Sequence, residues 1–173
     1  MIPATTAVET TLAPDLAFRS GMRRLVGAVT AIAARMPDGS PVGLAATAVC
    51  SVSTEPPTLL VCVNQTSSLG KVIQVGQAFS VNLLGADHEF LARSFGGMTG
   101  LTQAERFAEG TWNFDGEAPV LHGAVATFEC RVTDAHVSGS HYILMGAVQS
   151  VRLGEEGASG ALGYLDGRFV AVR

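Results

Sequence analysis

Three stretches of the chain gather the residues able to do chemistry. The first is GLAATAVCSVSTEPPTLLVCVN, from Gly43 to Asn64. It sets Thr47, Cys50, Ser51, Ser53 and Thr54 close together at the end of an apolar run, just before Pro56 and Pro57. Small side chains of this kind let another molecule approach the backbone closely, and their hydroxyls add donors and acceptors. The same residues also serve as ordinary small core residues on a crowded strand. The second stretch opens with Ser67 and Ser68, with Lys71 one turn on. A helix beginning there has free N–H groups that favour an anion, although Ser67 also reads as a simple N-cap and Lys71 as a solvated lysine. The third is His141, which follows Gly139-Ser140 and opens a long β-type run.

Several chemistries lack their signatures. There is no G-x-x-x-x-G-K-[ST] phosphate loop and no G-x-G-x-x-G after a strand. SFGGMTG has three glycines, but it follows a helical segment and its spacing is wrong. Neither H-E-x-x-H nor G-x-S-x-G occurs. His88, His122, His136 and His141 show no metal-ligand spacing. Cys50, Cys62 and Cys130 lack zinc-type spacing, and an odd count without a secretory signal reads as reduced, cytoplasmic thiols.

The elements that position these residues follow from periodicity and turn chemistry. Residues 15–27 read as a helix, with Asp15 as N-cap and Phe18, Met22, Leu25 and Val26 as one apolar stripe. GAVTAIAA and a strand from Val42 to Thr54 flank a turn at PDGSP. Pro56 and Pro57 break that strand. TLLVCVN is a continuous apolar run, the pattern of a strand covered on both faces. Residues 67–75 read as a short helix capped by Ser67, with Leu69, Val72 and Ile73 inward. AFSVNLL reads as a strand and ADHEFLARSF as a second short helix capped by Asp87. Residues 96–118, with five glycines, have no clear period and read as a long loop that is a candidate lid or partner surface. Two long β-type runs, Ala124 to Ala135 and His141 to Leu153, precede a hairpin at Asp166-Gly167. About seven strands without βαβ alternation predict a mainly β domain, a β-barrel with short peripheral helices.

The 173 residues suit one domain over residues 15–173, behind a tail at 1–14 that lacks signal-peptide character. Apolar residues make up 47% and charged ones 15%, which hints that a partner subunit or ligand covers some apolar surface. With net charge −4 and scattered cations, nucleic acid is excluded as an expected partner. No apolar stretch reaches the ~20 residues of a membrane span.

Taken in order, GLAATAVCSVSTEPPTLLVCVN, Ser67-Ser68, AFSVNLL, LARSF, ERF, FECRV and GSHYILMGAV resemble the flavin reductase domain family, the small reductase components of two-component flavin monooxygenases. The resemblance spans about residues 15–173. It implies a Greek-key, FMN-binding split barrel and a homodimer with flavin near the subunit interface. It also implies hydride transfer from NADH or NADPH to FMN or FAD, and release of reduced flavin to a separate monooxygenase. By the same resemblance, Thr47, Ala48, Val49, Cys50 and Ser51 lie along the flavin ring edge. Ser51 and Ser53, taken as one strand face, then meet the flavin phosphate together with Ser67, Ser68 and Lys71, and Asn64 bonds the phosphate or a turn amide. His141 lies near flavin and nicotinamide, but Ser140 stands where the family pattern has Asp. Phe95 and Phe107 are candidates to pack on the ring. Arg106, in Glu105-Arg106-Phe107, is expected to contact a nucleotide phosphate or to pair with Glu105 or Glu109. Two alternatives stay open: a reductase with tightly held flavin acting on a corrin or iron complex, and a non-enzymatic flavin- or haem-binding barrel.

Overall fold

The computed structural model describes residues 13–155 and 160–172. The expected N-terminal tail lies, but for its last two residues, outside them. Among the described residues there are three α-helices: α1 (Pro14–Met22), α2 (Glu89–Phe95) and α3 (Gln103–Ala108). The strands are β1 (Gly27–Ala28), β2 (Thr30–Arg35), β3 (Pro41–Ala46), β4 (Val49–Thr54), β5 (Pro57–Asn64), β6 (Ala78–Leu83), β7 (Trp112–Asn113), β8 (Val120–Leu121), β9 (Ala126–Ser138), β10 (His141–Leu153), β11 (Ala161–Leu165) and β12 (Arg168–Val172). The expectation of a mainly β domain holds. Every registered strand pair is antiparallel. Among the described residues, no helix is long and apolar enough to cross a membrane.

Seven strands form one open sheet in the order β3-β2-β6-β9-β10-β5-β4. Its two edge strands, β3 and β4, are consecutive in the chain and joined only by Thr47 and Ala48. Three Cα–Cα steps span at most about 11 Å, so the sheet must curl until its edges meet at that corner without pairing. The expected single strand from Val42 to Thr54 is therefore two strands belonging to opposite edges, and the break is Thr47-Ala48.

Alternation along β2 divides the interior in two. Ile32 and Ala34 face the inside of the curl and pack with Val42, Val61, Val63, Phe79 and Leu144. Ala31 and Ala33 face outward, under Leu91, Ala92 and Phe95 of α2. Alanines on both surfaces let that helix sit close to the sheet. A buried amide ties strand to crossing loop: Asn82 donates to Ala31 O (3.0 Å) and Ser80 Oγ (2.9 Å), and accepts from Leu121 N (2.9 Å) and Thr127 Oγ1 (3.1 Å).

Several local expectations are corrected. Helix α1 stops at Met22 and starts at Pro14, whose fixed φ suits the first helical position. Asp15 thus sits in the first turn and does not cap. The Phe18, Met22, Leu25, Val26 stripe is exposed, Phe18 by 68%. β5 buries Leu59, Val61 and Val63, while Leu60 and Cys62 on its other face are half-exposed, so only one face is fully covered within the chain. Residues 67–75 form turns, with isolated helical bonds from Lys71 N to Ser67 O and Ile73 N to Leu69 O, and no continuous helix. Asp87 lies inside a 3₁₀ turn, Ala86–His88, ahead of α2, and caps neither. The 96–118 segment contains α3, whose N-cap Thr102 exchanges bonds with Glu105 (2.7 and 2.8 Å to the carboxylate). Those bonds, from the Thr102 N–H first, hold the Glu105 carboxyl below its usual value. The C-terminal hairpin forms where expected, with Asp166 and Gly167 both at positive φ (49° and 80°), as a type I′ turn requires.

Candidate functional site

The Thr47-Ala48 corner organises one end of the curled sheet. Cys62 N donates to Ala48 O (3.0 Å), and Val49, Cys50 and Ser51 stand opposite Val61, Leu60 and Leu59. Antiparallel bonding alternates, so residues next to a bonded pair turn their backbone groups away. The N–H and C=O groups of Val49 and Ser51 therefore point from the sheet edge, a short row of donors and acceptors held rigid by the ladder behind it.

Register also fixes which side chains share a face. Val49 and Ser51 pair with inward-facing Val61 and Leu59; Cys50 pairs with outward-facing Leu60. Asn64 and His141 are direct partners, in line with Cys62 and Ile143, on the outer face. Ser140 Oγ lies 2.8 Å from His141 Nδ1. A hydroxyl serves either imidazole tautomer, whereas a carboxylate there would demand Nδ1–H and favour the cation. Ser140 thus orients the ring.

The expected alliance of Ser51 and Ser53 does not form. Ser51 pairs with Leu59 and Ser53 with Thr58, so a bulge at Val52 inserts one residue and puts the two serines on opposite faces. The Ser53 hydroxyl donates to Glu55 O (3.0 Å) and accepts from Glu55 N (3.1 Å), closing the turn into β5. Ser53 and Asn64 stand at opposite ends of β5, about 20 Å apart for six residues of strand. The structure therefore does not bring Ser53 and Ser67 to one phosphate.

Near Asn64 the side chains are largely occupied. Asn64 Oδ1 accepts from Thr66 N and Thr66 Oγ1 (both 2.9 Å). Ser67 Oγ donates to Asn64 O (2.7 Å) and accepts from Gly70 N (2.9 Å), the capping role. Ser68 and Lys71 are exposed beside them. Phe95 is 2% exposed, edge-on to Phe107 (5.0 Å between centroids) and 5.5 Å from Trp112. This aromatic core withdraws Phe95 and Phe107 from any ring stacking. Arg106 pairs with neither Glu105 nor Glu109; its Nε donates to Leu101 O (2.9 Å), which braces the 96–102 loop.

A slot of about 250 Å³ that the sequence reading missed opens directly beside Thr47. Val29, Ala45, Ala46 and Thr47 form one side, Ala92, Gly96 and Met98 another, and Tyr164 and Phe169 of the C-terminal hairpin a third. The two rings are direct cross-strand partners with centroids 5.1 Å apart. The Arg93 guanidinium stacks over Phe169 at 5.2 Å while two bonds to Glu89 (2.9 and 2.7 Å) hold it. The visible signal was the LGYLDGRF hairpin, whose turn was legible but whose destination was not.

With this geometry in hand, the comparisons with known proteins are decisive. The model of the flavin reductase like domain matches residues 22–173. The chain belongs to that family. It is 42% identical over 168 residues to a protein named FMN reductase (NADH) RutF from Agrobacterium fabrum, covering 94% of this chain and 92% of that one. It is 39% identical over 143 residues to the 4-hydroxyphenylacetate 3-monooxygenase reductase component of Pseudomonas aeruginosa, covering 82% and 83%. Among solved structures, BorF, the flavin reductase component of a bacterial two-component tryptophan halogenase, superposes with a TM-score of 0.78 at 28% identity, over 90% of this chain and 96% of that one.

Proposed function

We propose that the chain is an NADH:flavin oxidoreductase that reduces FMN and passes the reduced flavin to a separate monooxygenase. The observation that carries this reading is the exposed backbone edge at Val49 and Ser51 lying next to an apolar slot at Thr47. A flavin needs a flat apolar space, aligned donors and acceptors along one ring edge, and partners for its phosphate. The slot and the strand edge meet the first two needs. For the third, Ser68 and Lys71 stand at the same end of β5, where Ser67 and Asn64 shape the loop more than they offer side chains. The names of the relatives, FMN reductase (NADH) foremost, favour FMN and NADH over FAD and NADPH.

Bound flavin supplies an acceptor for a hydride. The chain's part is alignment, because hydride transfer depends on proximity more than on proton transfer. His141 lies half-buried on the outer face next to Asn64, suited to orient the nicotinamide amide, with Ser140 fixing the ring. The half-exposed apolar row Leu60, Cys62, Ile143 and Met145, and the uncovered stripe of α1, favour a homodimer in which a second copy covers them.

The test is NADH consumption by the purified protein with excess FMN, followed by loss of reduced-nicotinamide absorbance. Turnover scaling with added flavin is expected; no oxidation with any flavin would sink the reading. His141→Ala is expected to raise the NADH KM by about tenfold while FMN affinity stays within about threefold. An unchanged steady-state profile would refute the role of His141.

A further inference from the structure

His141 begins β10 at the tip of a long two-stranded hairpin, an open place for a side chain that works by alignment. The turn is Gly139-Ser140, with Gly139 at φ 56°. That is the first central position, where two-residue turns of type II′ place glycine. His141 pairs with Ser138 across the turn and with Asn64 of β5 on its other side. Ser138, Gly139 and Ser140 are all exposed. Local opening needs least free energy where backbone bonds face solvent in this way, so something must hold the tip if the ring is to keep one angle.

Gln65, the first residue after β5, holds it with two donors on successive carbonyls of the turn. Its backbone N–H donates to Ser140 O (3.0 Å) and its side-chain Nε2 to Gly139 O (2.9 Å). Ser140 Oγ in turn lies 2.8 Å from His141 Nδ1, so one residue separates Gln65 from the imidazole. The anchor is stiffer than the tip. Asn64 O, next to Gln65, accepts from Ser67 N (3.1 Å) and Ser67 Oγ (2.7 Å), and Asn64 Oδ1 accepts from Thr66 N and Thr66 Oγ1 (both 2.9 Å). A Cβ at Gly70 would lie 2.1 Å from Asn64 O and 3.0 Å from Gln65 Cα, so the 64–70 turn is closed down on Gly70 without slack. Gln65 is therefore placed by its own turn, and the hairpin tip takes its position from Gln65.

We propose that Gln65 is a positioning residue for the reduction step: it holds the Gly139-Ser140 turn so that Ser140 presents the His141 ring at one angle. It acts through His141 and needs no contact with either nucleotide. The proposal rests on the flavin reductase reading and on the part that reading gives to His141. Removing the side-chain donor alone leaves the backbone bond to Ser140 O in place and frees only the Gly139 side of the turn, so the loss is partial.

The test is Gln65→Met, which keeps the length of the side chain and removes its donor, alone and combined with His141→Ala. Steady-state NADH oxidation gives the KM, and quenching of flavin fluorescence gives the FMN affinity. Gln65→Met is expected to raise the NADH KM about three- to tenfold, the range set by loss of one hydrogen bond. FMN affinity should stay within about twofold. The deciding readout is the cycle: once the imidazole is gone, Gln65→Met should change the KM by less than about twofold. A merely structural residue would lower the Tm in both backgrounds without this dependence on His141. Should Gln65→Met fold poorly, Gln65→Glu has the same size, also lacks the donor, and reads the same cycle. An unchanged KM in Gln65→Met overturns the proposal, and so does a KM change of equal size with and without the imidazole. So does a variant that weakens FMN as much as it raises the KM, since Gln65 then acts through the Ser67-Ser68 turn. If wild type turns over but His141→Ala has no effect, the proposal falls while the flavin reductase reading stands. If wild type neither binds FMN nor oxidises NADH, that reading falls as well.

Discussion

Gly27→Ala tests whether the Thr47 corner positions the flavin. A Cβ at residue 27 would lie 2.8 Å from Thr47 Cβ, 3.3 Å from its Cγ2 and 3.4 Å from its Oγ1. Carbon atoms in ordinary contact sit about 3.5–4.0 Å apart, so one side must yield by about 1 Å. The β1 side is held: Gly27 and Ala28 pair with Tyr164 and Gly163, Val29 N donates to Leu162 O (2.8 Å), and Leu84 N donates to Val29 O (3.0 Å). Thr47 itself has no ladder partner, although Ala46 pairs with Thr30 and Ala48 O accepts from Cys62 N, so the strain falls on Thr47 and the corner shifts there. A misplacement of about 1 Å at a site that works by alignment costs up to about a hundredfold in rate, or about 2.7 kcal/mol. We therefore expect Gly27→Ala to lower kcat/KM for NADH by about ten- to a hundredfold and to weaken FMN binding, at a stability cost of about 1–3 kcal/mol. Thr47→Gly removes the three atoms in conflict, so the double variant should be no worse than Thr47→Gly alone, a strongly non-additive cycle. The assays are steady-state NADH oxidation and FMN fluorescence quenching, with thermal melts as the control for folding. A Gly27→Ala protein within about twofold of wild type in both assays would refute the reasoning, because a 1 Å shift of the corner would then be without consequence.

The remaining predictions concern the thiols and the buried amide. Burial, aided by the neighbouring Glu129 charge, pushes the Cys130 thiol up to about 12 from its ordinary 9.0. Cys50 is exposed, so a thiolate-selective reagent at pH 8 should label Cys50 in the native protein and Cys130 only on unfolding; comparable native labelling of both would contradict the buried environment. The raised value also carries a sign: the unfolded chain loses this proton near pH 9 and the folded chain keeps it, so Cys130 contributes stability below pH 9 that is lost progressively toward pH 12. Chemical denaturation along that range should show the loss, and a Cys130→Ala variant should lack this component. Asn82→Ala strips partners from Leu121 N–H, Ala31 C=O and the Thr127 hydroxyl, all buried. Each orphaned group costs about 1–3 kcal/mol, so a loss of about 3–9 kcal/mol and a Tm lower by roughly 6–36 °C are expected in a thermal melt.

What the sequence made legible was local, and what it concealed depended on register. Period-two alternation and turn chemistry placed β10, the hairpin at Asp166-Gly167 and the strand of AFSVNLL close to where they stand, because each is set by its own residues. The Val42–Thr54 run looked continuous because Thr47 and Ala48 carry no glycine or proline to mark a break; the break exists because β3 and β4 bond to different partners across the sheet. The Ser51–Ser53 face failed for the same reason. Alternation was counted along one strand, while the bulge at Val52 is a property of the pair, visible only once Leu59 and Thr58 are known to stand opposite. Phe95 was read as a ligand contact because motif order put it near the site, yet Phe107 and Trp112 claim it; Arg106, read as a phosphate contact or an ion-pair partner, spends its Nε on Leu101 O and pairs with neither Glu105 nor Glu109. The slot walls were invisible for a further reason. Tyr164 and Phe169 lie more than a hundred residues from Thr47, and nothing in LGYLDGRF states which surface the hairpin covers. The small hydroxyls around the corner were legible; the corner itself, hidden in an apparently continuous strand, was not. An apolar run that ends in small hydroxyls marks a place where backbone lies open. Here the curl of the sheet makes that place, since only two edges that meet without pairing leave such a row of donors and acceptors beside an apolar slot.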